Sequence, residues 1–154
     1  MPVRSQWMRR IKSVEREFKI VRSSLNKTIS DLAADPNLIL QETRPRDYNL
    51  ASDQLGATYL IRLYAEFEAG LRDHYASLKP KNPKMEVLVD TLATRYGIPI
   101  EVTEDVHKVR NCRNDCVHNA MEKLSCDAVA LYRGHLCHYF YCLPLMWESK
   151  SKAH

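Results

Sequence analysis

Trp7, Ile11, Val14, Phe18, Val21, Leu25, Thr28 and Leu32 recur in strict four-three spacing. A seam of that period, held over nearly four heptads, predicts one long helix from about Arg4 to Ala34. Asp35-Pro36 ends it, because the residue before a proline is pushed out of helical geometry. The seam fits a helix lying along a bundle, and it fits as well a helix pairing with a second copy of itself. Residues 36–52 read as a loop with a local apolar anchor at Leu38-Ile39-Leu40. Ser52 then caps a second helix, from about Asp53 to Leu78, whose stripe is Leu60, Leu63, Tyr64, Phe67, Leu71, Tyr75 and Leu78.

The two prolines within Lys79-Pro80-Lys81-Asn82-Pro83-Lys84 make a clear break. A short third helix, about Met85 to Tyr96, is closed by Gly97, a natural helix-ending residue. Ile98-Pro99-Ile100 reads as an extended connector. Thr103 caps a fourth helix with Glu104 and Asp105 in its first turn, where acidic groups favour the helix dipole. Val106, Val109, Cys112, Cys116 and Val117 give that helix an apolar side, and Asn119 can take the left-handed conformation that stops it. Ser125 or Asp127 opens a fifth helix that runs to about Cys142, before Pro144.

No run alternates cleanly between apolar and polar over six residues, and glycine is scarce at four residues. The fold class expected is therefore all-α, a bundle of about five helices led by a long N-terminal one. At 154 residues the chain is expected to be a single domain. Within it, residues 1–35 form a long basic helix, 53–143 a bundle core, and 148–154 a frayed polar tail. A domain of this size buries roughly 70% of its unfolded surface and needs no staples.

Residues 1–12 are basic and broken by polar side chains, with no apolar core segment after them, so no export signal is expected. The most apolar stretch, Leu136 to Trp147, contains His138 and Pro144 and is too short to span a bilayer. An odd number of cysteines, five, then points to free thiols in a reducing cytosol, a cytoplasmic setting with no membrane partner. Net charge is only +4 but uneven: residues 1–27 carry eight basic side chains against Glu15 and Glu17. That segment is either the solvated face of an ordinary helix or a surface for phosphate or an acidic partner.

The most informative chemistry is Arg113-Asn114-Asp115-Cys116-Val117-His118, near the end of the fourth helix. Arginine is a permanently charged, forked donor for phosphate. Histidine can both take and give a proton near neutral pH. Together they suit cleavage of RNA by its own ribose 2′-hydroxyl, which needs a base, an acid, and positive charge on the phosphoryl oxygens. Asn114 can orient the imidazole or the substrate. On an ideal helix Asn114 and His118 are about 40° apart, but Arg113 and His118 are about 140° apart. The helix must unwind before His118, or the two must converge by reach, or they act across a subunit interface. A twofold axis beside the motif would supply two histidines and two arginines.

The string Arg113 to Asn119 resembles the signature of the HEPN superfamily: an arginine, usually followed by a polar residue, then a histidine after four to six intervening positions. Tyr64-Ala65-Glu66-Phe67-Glu68-Ala69-Gly70-Leu71-Arg72 is similar to an upstream HEPN helix, with glutamate beside an aromatic. The resemblance covers roughly residues 53–143. It implies a small α-helical bundle acting as a homodimer. It further implies a metal-independent endoribonuclease without cofactor, of the kind found in toxin–antitoxin, phage-defence and RNA-processing systems, with RNA as substrate and a protein antitoxin as a further partner. Arg113 and His118 would be catalytic, with Asn114 in support. Some such domains lose activity and keep only the fold, so a non-catalytic nucleotide- or protein-binding module is the alternative.

Two further residues belong to the candidate site. Arg110 is about 80° from His118 and on Asn114's side, a second phosphate contact or a solvent-facing charge. Glu68 falls within the apolar stripe of the second helix and either pairs with Arg113 or His118 or edges out to water. Cys112 and Cys116, with Cys137, His138 and Cys142, match no common zinc spacing and read as small buried hydrophobes, so no metal is expected. His74, His107, His135 and His138 have no Arg-Asn context and read as packing or surface residues. Tyr139-Phe140-Tyr141 reads as core or interface.

Overall fold

A computed structural model describes residues 3–118 and 123–149. It holds five α-helices and, among the described residues, no strand: α1 (Val3–Ala34), α2 (Pro45–Leu78), α3 (Met85–Tyr96), α4 (Ile100–His118) and α5 (Cys126–Tyr141), with a 3-10 turn at Pro36–Leu38 after α1. The all-α bundle follows from the helical periodicities, as does the break at Asp35-Pro36, where the Asp35 carboxylate accepts from the Asn37 N–H at 3.1 Å. Gly97 closes α3 in the left-handed conformation at φ 61°, which costs a side chain but not glycine. Of the two candidates for the start of α5, Ser125 is the cap, its hydroxyl accepting from the Ala128 N–H at 3.1 Å.

Two boundaries differ from expectation. α2 starts at Pro45, not Asp53, so the loop ends eight residues earlier. Proline at the first helical position has its φ already set, and the Asp47 carboxylate closes the turn by accepting from the Arg44 N–H at 2.7 Å. Ser52 lies inside the helix, where its carbonyl and hydroxyl accept from Arg22 at 3.1 and 3.2 Å. α4 starts at Ile100, not after Thr103. The Pro99 carbonyl accepts from the backbone of Val102 and Thr103 and from the Thr103 hydroxyl, so Thr103 sits buried in the first turn and Glu101, rather than Glu104, is its acidic residue. The expected stop at Asn119 lies outside the described residues.

α1 and α2 form a long antiparallel hairpin. Arg22 meets Ser52, Glu17 meets Tyr59 and Arg62, Arg10 meets Glu66, and Trp7 meets Asp73. The first half of the α1 seam is consumed within the chain: Trp7, Ile11, Val14 and Phe18 are buried in the core. From Val21 onward the seam is half-buried, and Thr28 is exposed, because that half of the hairpin runs past the rest of the bundle. α5 lies antiparallel on α1, with Arg133 on Glu15 at 2.7 Å and Arg4 donating to the Tyr141 carbonyl.

The core centres on Phe67. Its ring meets Tyr139 and Phe140 of α5 edge-on at 5.7 and 5.4 Å, and Tyr64 of its own helix at 5.7 Å. Gly70, one turn on, lets Phe140 and the Trp7 ring approach the α2 backbone; a Cβ there would lie 2.6 Å from Phe140 Cζ. The Tyr139 hydroxyl donates to the Val89 carbonyl at 2.6 Å and ties α5 to α3.

At the other end, the segment after α5 is clasped to α2 rather than frayed as far as Ser149. The buried Asp73 carboxylate accepts from both indoles, Trp7 at 3.2 Å and Trp147 at 2.9 Å, and from the Ser149 hydroxyl at 2.9 Å. His74 beside it is buried under Trp147 and hydrogen-bonded to the Tyr96 hydroxyl at 3.0 Å. Burial, reinforced by Arg95 and opposed by Asp73, lowers its pKa from 6.5 to about 4. The folded protein therefore holds His74 neutral, while the unfolded chain takes up a proton below pH 6.5. Stability should fall as pH drops from about 6.5 towards 4, by about 2 kcal/mol between pH 7 and pH 5. Urea unfolding at the two pH values measures it, and His74→Gln should flatten that part of the profile.

Candidate functional site

α4 is held by Val102, Val106, Val109 and Cys116, all buried against the bundle. Taking Val109 as the centre of that face, Arg113 falls within about 40° of it and His118 about 180° away. The helix is continuous through His118, so it does not unwind to bring the two together. Arg113 is accordingly half-buried, its guanidinium 5.7 Å from the centre of the Tyr64 ring on α2. His118 is exposed at the end of α4, with no hydrogen bond or ion pair among the described residues. Asn114 stands between them in angle, and its Oδ1 accepts from Arg113 Nη1 at 3.0 Å. Asn114 thus bonds to the arginine, and among the described residues it has no hydrogen bond to the imidazole. Arg113 and His118 do not converge in one chain.

The other basic residues of α4 are paired. Lys108 reaches Asp105 at 2.9 Å, and Arg110 reaches Glu86 of α3 at 3.2 Å. Arg113 pairs with no carboxylate among the described residues. Glu68 does not take Arg113 or His118 as its partner. It pairs with Arg72, one turn along α2, at 2.7 Å, and both side chains are about three-tenths exposed. Arg72 also donates to Asn82 and to the Pro83 carbonyl, which fastens the linker before α3 to α2.

Tyr64 was not singled out as a site residue, yet it lies at the middle of this group. Its hydroxyl is buried and, among the described residues, has no hydrogen-bond partner; the charges acting on it are Glu68, Arg110, Arg113 and Arg72. Burial, with Glu68, raises its pKa against the pull of the three arginines, so it stays a neutral phenol. The signal in the sequence was available: Glu68 and Arg72 are one turn apart, and Tyr64 is one turn before Glu68. Two histidine pairs were likewise invisible to local spacing. His107 meets Asp90 at 2.7 Å and His135 meets Asp105 at 3.2 Å, each across two helices.

All five cysteines are thiols; Cys116 and Cys137 are buried, Cys112 and Cys142 half-buried, and Cys126 exposed. Among the described residues no three His, Cys, Asp or Glu side chains gather in a cluster. No described helix is long and apolar enough to cross a membrane. No protein-family model matches the chain, and neither a curated protein nor a solved structure is similar enough to count as a match.

Because the Tyr64 hydroxyl is buried and, among the described residues, unpartnered while its ring is packed, the two parts are separable. Tyr64→Phe should leave stability unchanged or raise it by up to about 1 kcal/mol. Tyr64→Ala should lower it by about 3–5 kcal/mol. Denaturant unfolding of both variants checks this, and a Tyr64→Phe variant as damaged as Tyr64→Ala would contradict it.

Proposed function

We propose that the chain is a HEPN-like endoribonuclease that cleaves RNA without a metal, working as a homodimer whose cleft takes Arg113 and His118 from both copies. The observation that carries it is the contrast along α4. Lys108 and Arg110 are held by carboxylates, whereas among the described residues Arg113 is held only by the neutral Asn114 and the Tyr64 ring. A guanidinium kept in that way retains its charge and its fork for a phosphate. His118, exposed at the helix end, is free to exchange protons with a substrate.

In the reaction, a base takes the proton of the ribose 2′-hydroxyl as its oxygen bonds to the adjacent phosphorus. The bond from phosphorus to the 5′-oxygen breaks, and an acid protonates the leaving oxygen. The product ends are a 2′,3′-cyclic phosphate and a 5′-hydroxyl. One histidine cannot easily be base and acid in the same step. Two copies of His118 divide those roles, and Arg113 stabilises the charge on the non-bridging oxygens.

A second function is favoured by the divergence of Arg113 and His118 within one chain. It is a non-catalytic module that binds a nucleotide or a protein partner through the same arginine. The nuclease accounts for the exposed imidazole as well, and the module does not.

The test is incubation of wild type and single variants with mixed RNA, with and without chelator, followed by mapping of the ends. Cleavage should survive chelation and leave cyclic phosphate, and Arg113→Ala and His118→Ala should each lower the rate by about 100-fold or more. Cleavage abolished by chelator, or undiminished in His118→Ala, would overturn it.

A further inference from the structure

The basic side chains of the first 27 residues divide into two groups. Arg4 donates to the carbonyls of Tyr141 and Leu143 at 2.9 and 2.7 Å. Arg10 pairs with Glu66, Lys19 with Glu15, Lys27 with Asp31, and Arg22 is bonded to Ser52. Arg9, Lys12 and Arg16 have neither hydrogen bond nor ion pair among the described residues. The two acids of that stretch cannot neutralise them: Glu15 is taken by Arg133 and Lys19, and Glu17 by a two-pronged contact with Arg62 at 2.6 and 2.9 Å.

The three free cations share one face. On an ideal helix they fall within about 60° of arc and along about 10 Å of axis. All three line one groove of about 280 Å³ between α1 and the end of α5, whose far wall is Tyr141. Tyr139 and Phe140 are buried, but Tyr141 is 56% exposed. The Arg4 guanidinium lies 5.6 Å from its ring centre, which fixes the ring beside the cationic line. Unneutralised charges in a row next to an open aromatic face match the way single strands are bound: the cations follow the phosphates and the ring stacks a base. An acidic peptide would satisfy the charges but leave the ring unused.

We propose that the α1–α5 groove binds single-stranded RNA, with Arg9, Lys12 and Arg16 on successive phosphates and Tyr141 under a base. The identity of the polyanion rests on the nuclease function proposed above. The groove itself is built from α1 and α5, and the motif from α4 against α2, so each can be disabled without the other.

The experiment uses the full chain carrying Arg113→Ala and His118→Ala, so that RNA is bound but not cut, and a fluorescent oligouridylate of about twelve nucleotides, a length within the range of single-strand sites. Affinity is measured from about 50 to about 200 mM salt. Adding Arg9→Gln, Lys12→Gln and Arg16→Gln should weaken binding at least about tenfold and reduce the salt slope by about 2, three phosphate contacts at roughly 0.7 each. Arg9→Lys with Arg16→Lys should keep the slope, and Tyr141→Ala should weaken binding with the slope unchanged.

An unaltered affinity and slope in the triple-Gln variant overturns the groove, as does equal competition by polyglutamate with no effect of Tyr141→Ala. If the groove variants behave as expected but wild type cuts no RNA, the groove stands and the nuclease falls. If wild type cuts RNA and the triple-Gln variant binds as before, the reverse holds.

Discussion

Phe67 is the point on which the molecule closes. It lies near the middle of the apolar stripe of α2, and the edge-on contacts with Tyr139 and Phe140 fix where α5 sits on that helix. Through Tyr139 the same contact reaches the backbone of α3 at Val89. Gly70 supplies the close approach that α1 and α5 need, through Trp7 and Phe140. The candidate site is an outgrowth of this centre. Tyr64 is one turn before Phe67 and packs on it, and the Arg113 guanidinium of α4 lies 5.7 Å from the centre of the Tyr64 ring. Arg113 is therefore positioned by core packing, not by a flexible loop, as a preorganised phosphate contact requires.

The continuity of α4 has the larger consequence for chemistry. A helix unbroken from Ile100 to His118 turns Arg113 inward and His118 outward. Asn114 links the two sides through its bond to Arg113 while lying within about 40° of His118. A guanidinium and an imidazole about 140° apart on one helix do not share a face. In the proposed homodimer a twofold axis would bring the exposed histidine of one copy toward the arginine of the other without altering α4. The buried half of the α1 seam leaves that contact to other surfaces than the heptads of Trp7 to Phe18.

Most of the fold was legible in the sequence because helices advertise themselves by period, and their ends by proline, glycine and serine. The start of α2 was not legible. Pro45-Arg46-Asp47-Tyr48-Asn49 has little apolar periodicity, and what makes it helical is a proline with its φ preset and a carboxylate closing the turn. Thr103 misled for a related reason: its hydroxyl bonds back to Pro99 from inside the first turn instead of capping from outside. At the site, residue types and spacing singled out Arg113, Asn114, Arg110 and His118, since an α-helix fixes angles between its own residues. They could not reveal Glu86 as Arg110's partner, or the carboxylates beside His107 and His135, because those pairings cross between helices.

In the proposed nuclease one cleft draws on His118 of both chains. Mixing wild type with an equal amount of His118→Ala protein tests this most directly, after a denaturation and refolding step that lets subunits exchange. Half the dimers are then mixed and hold a single His118, so RNA cleavage should fall to about half that of the same amount of wild-type protein alone. Cleavage equal to that of the wild-type protein alone, with exchange of subunits demonstrated, would contradict it.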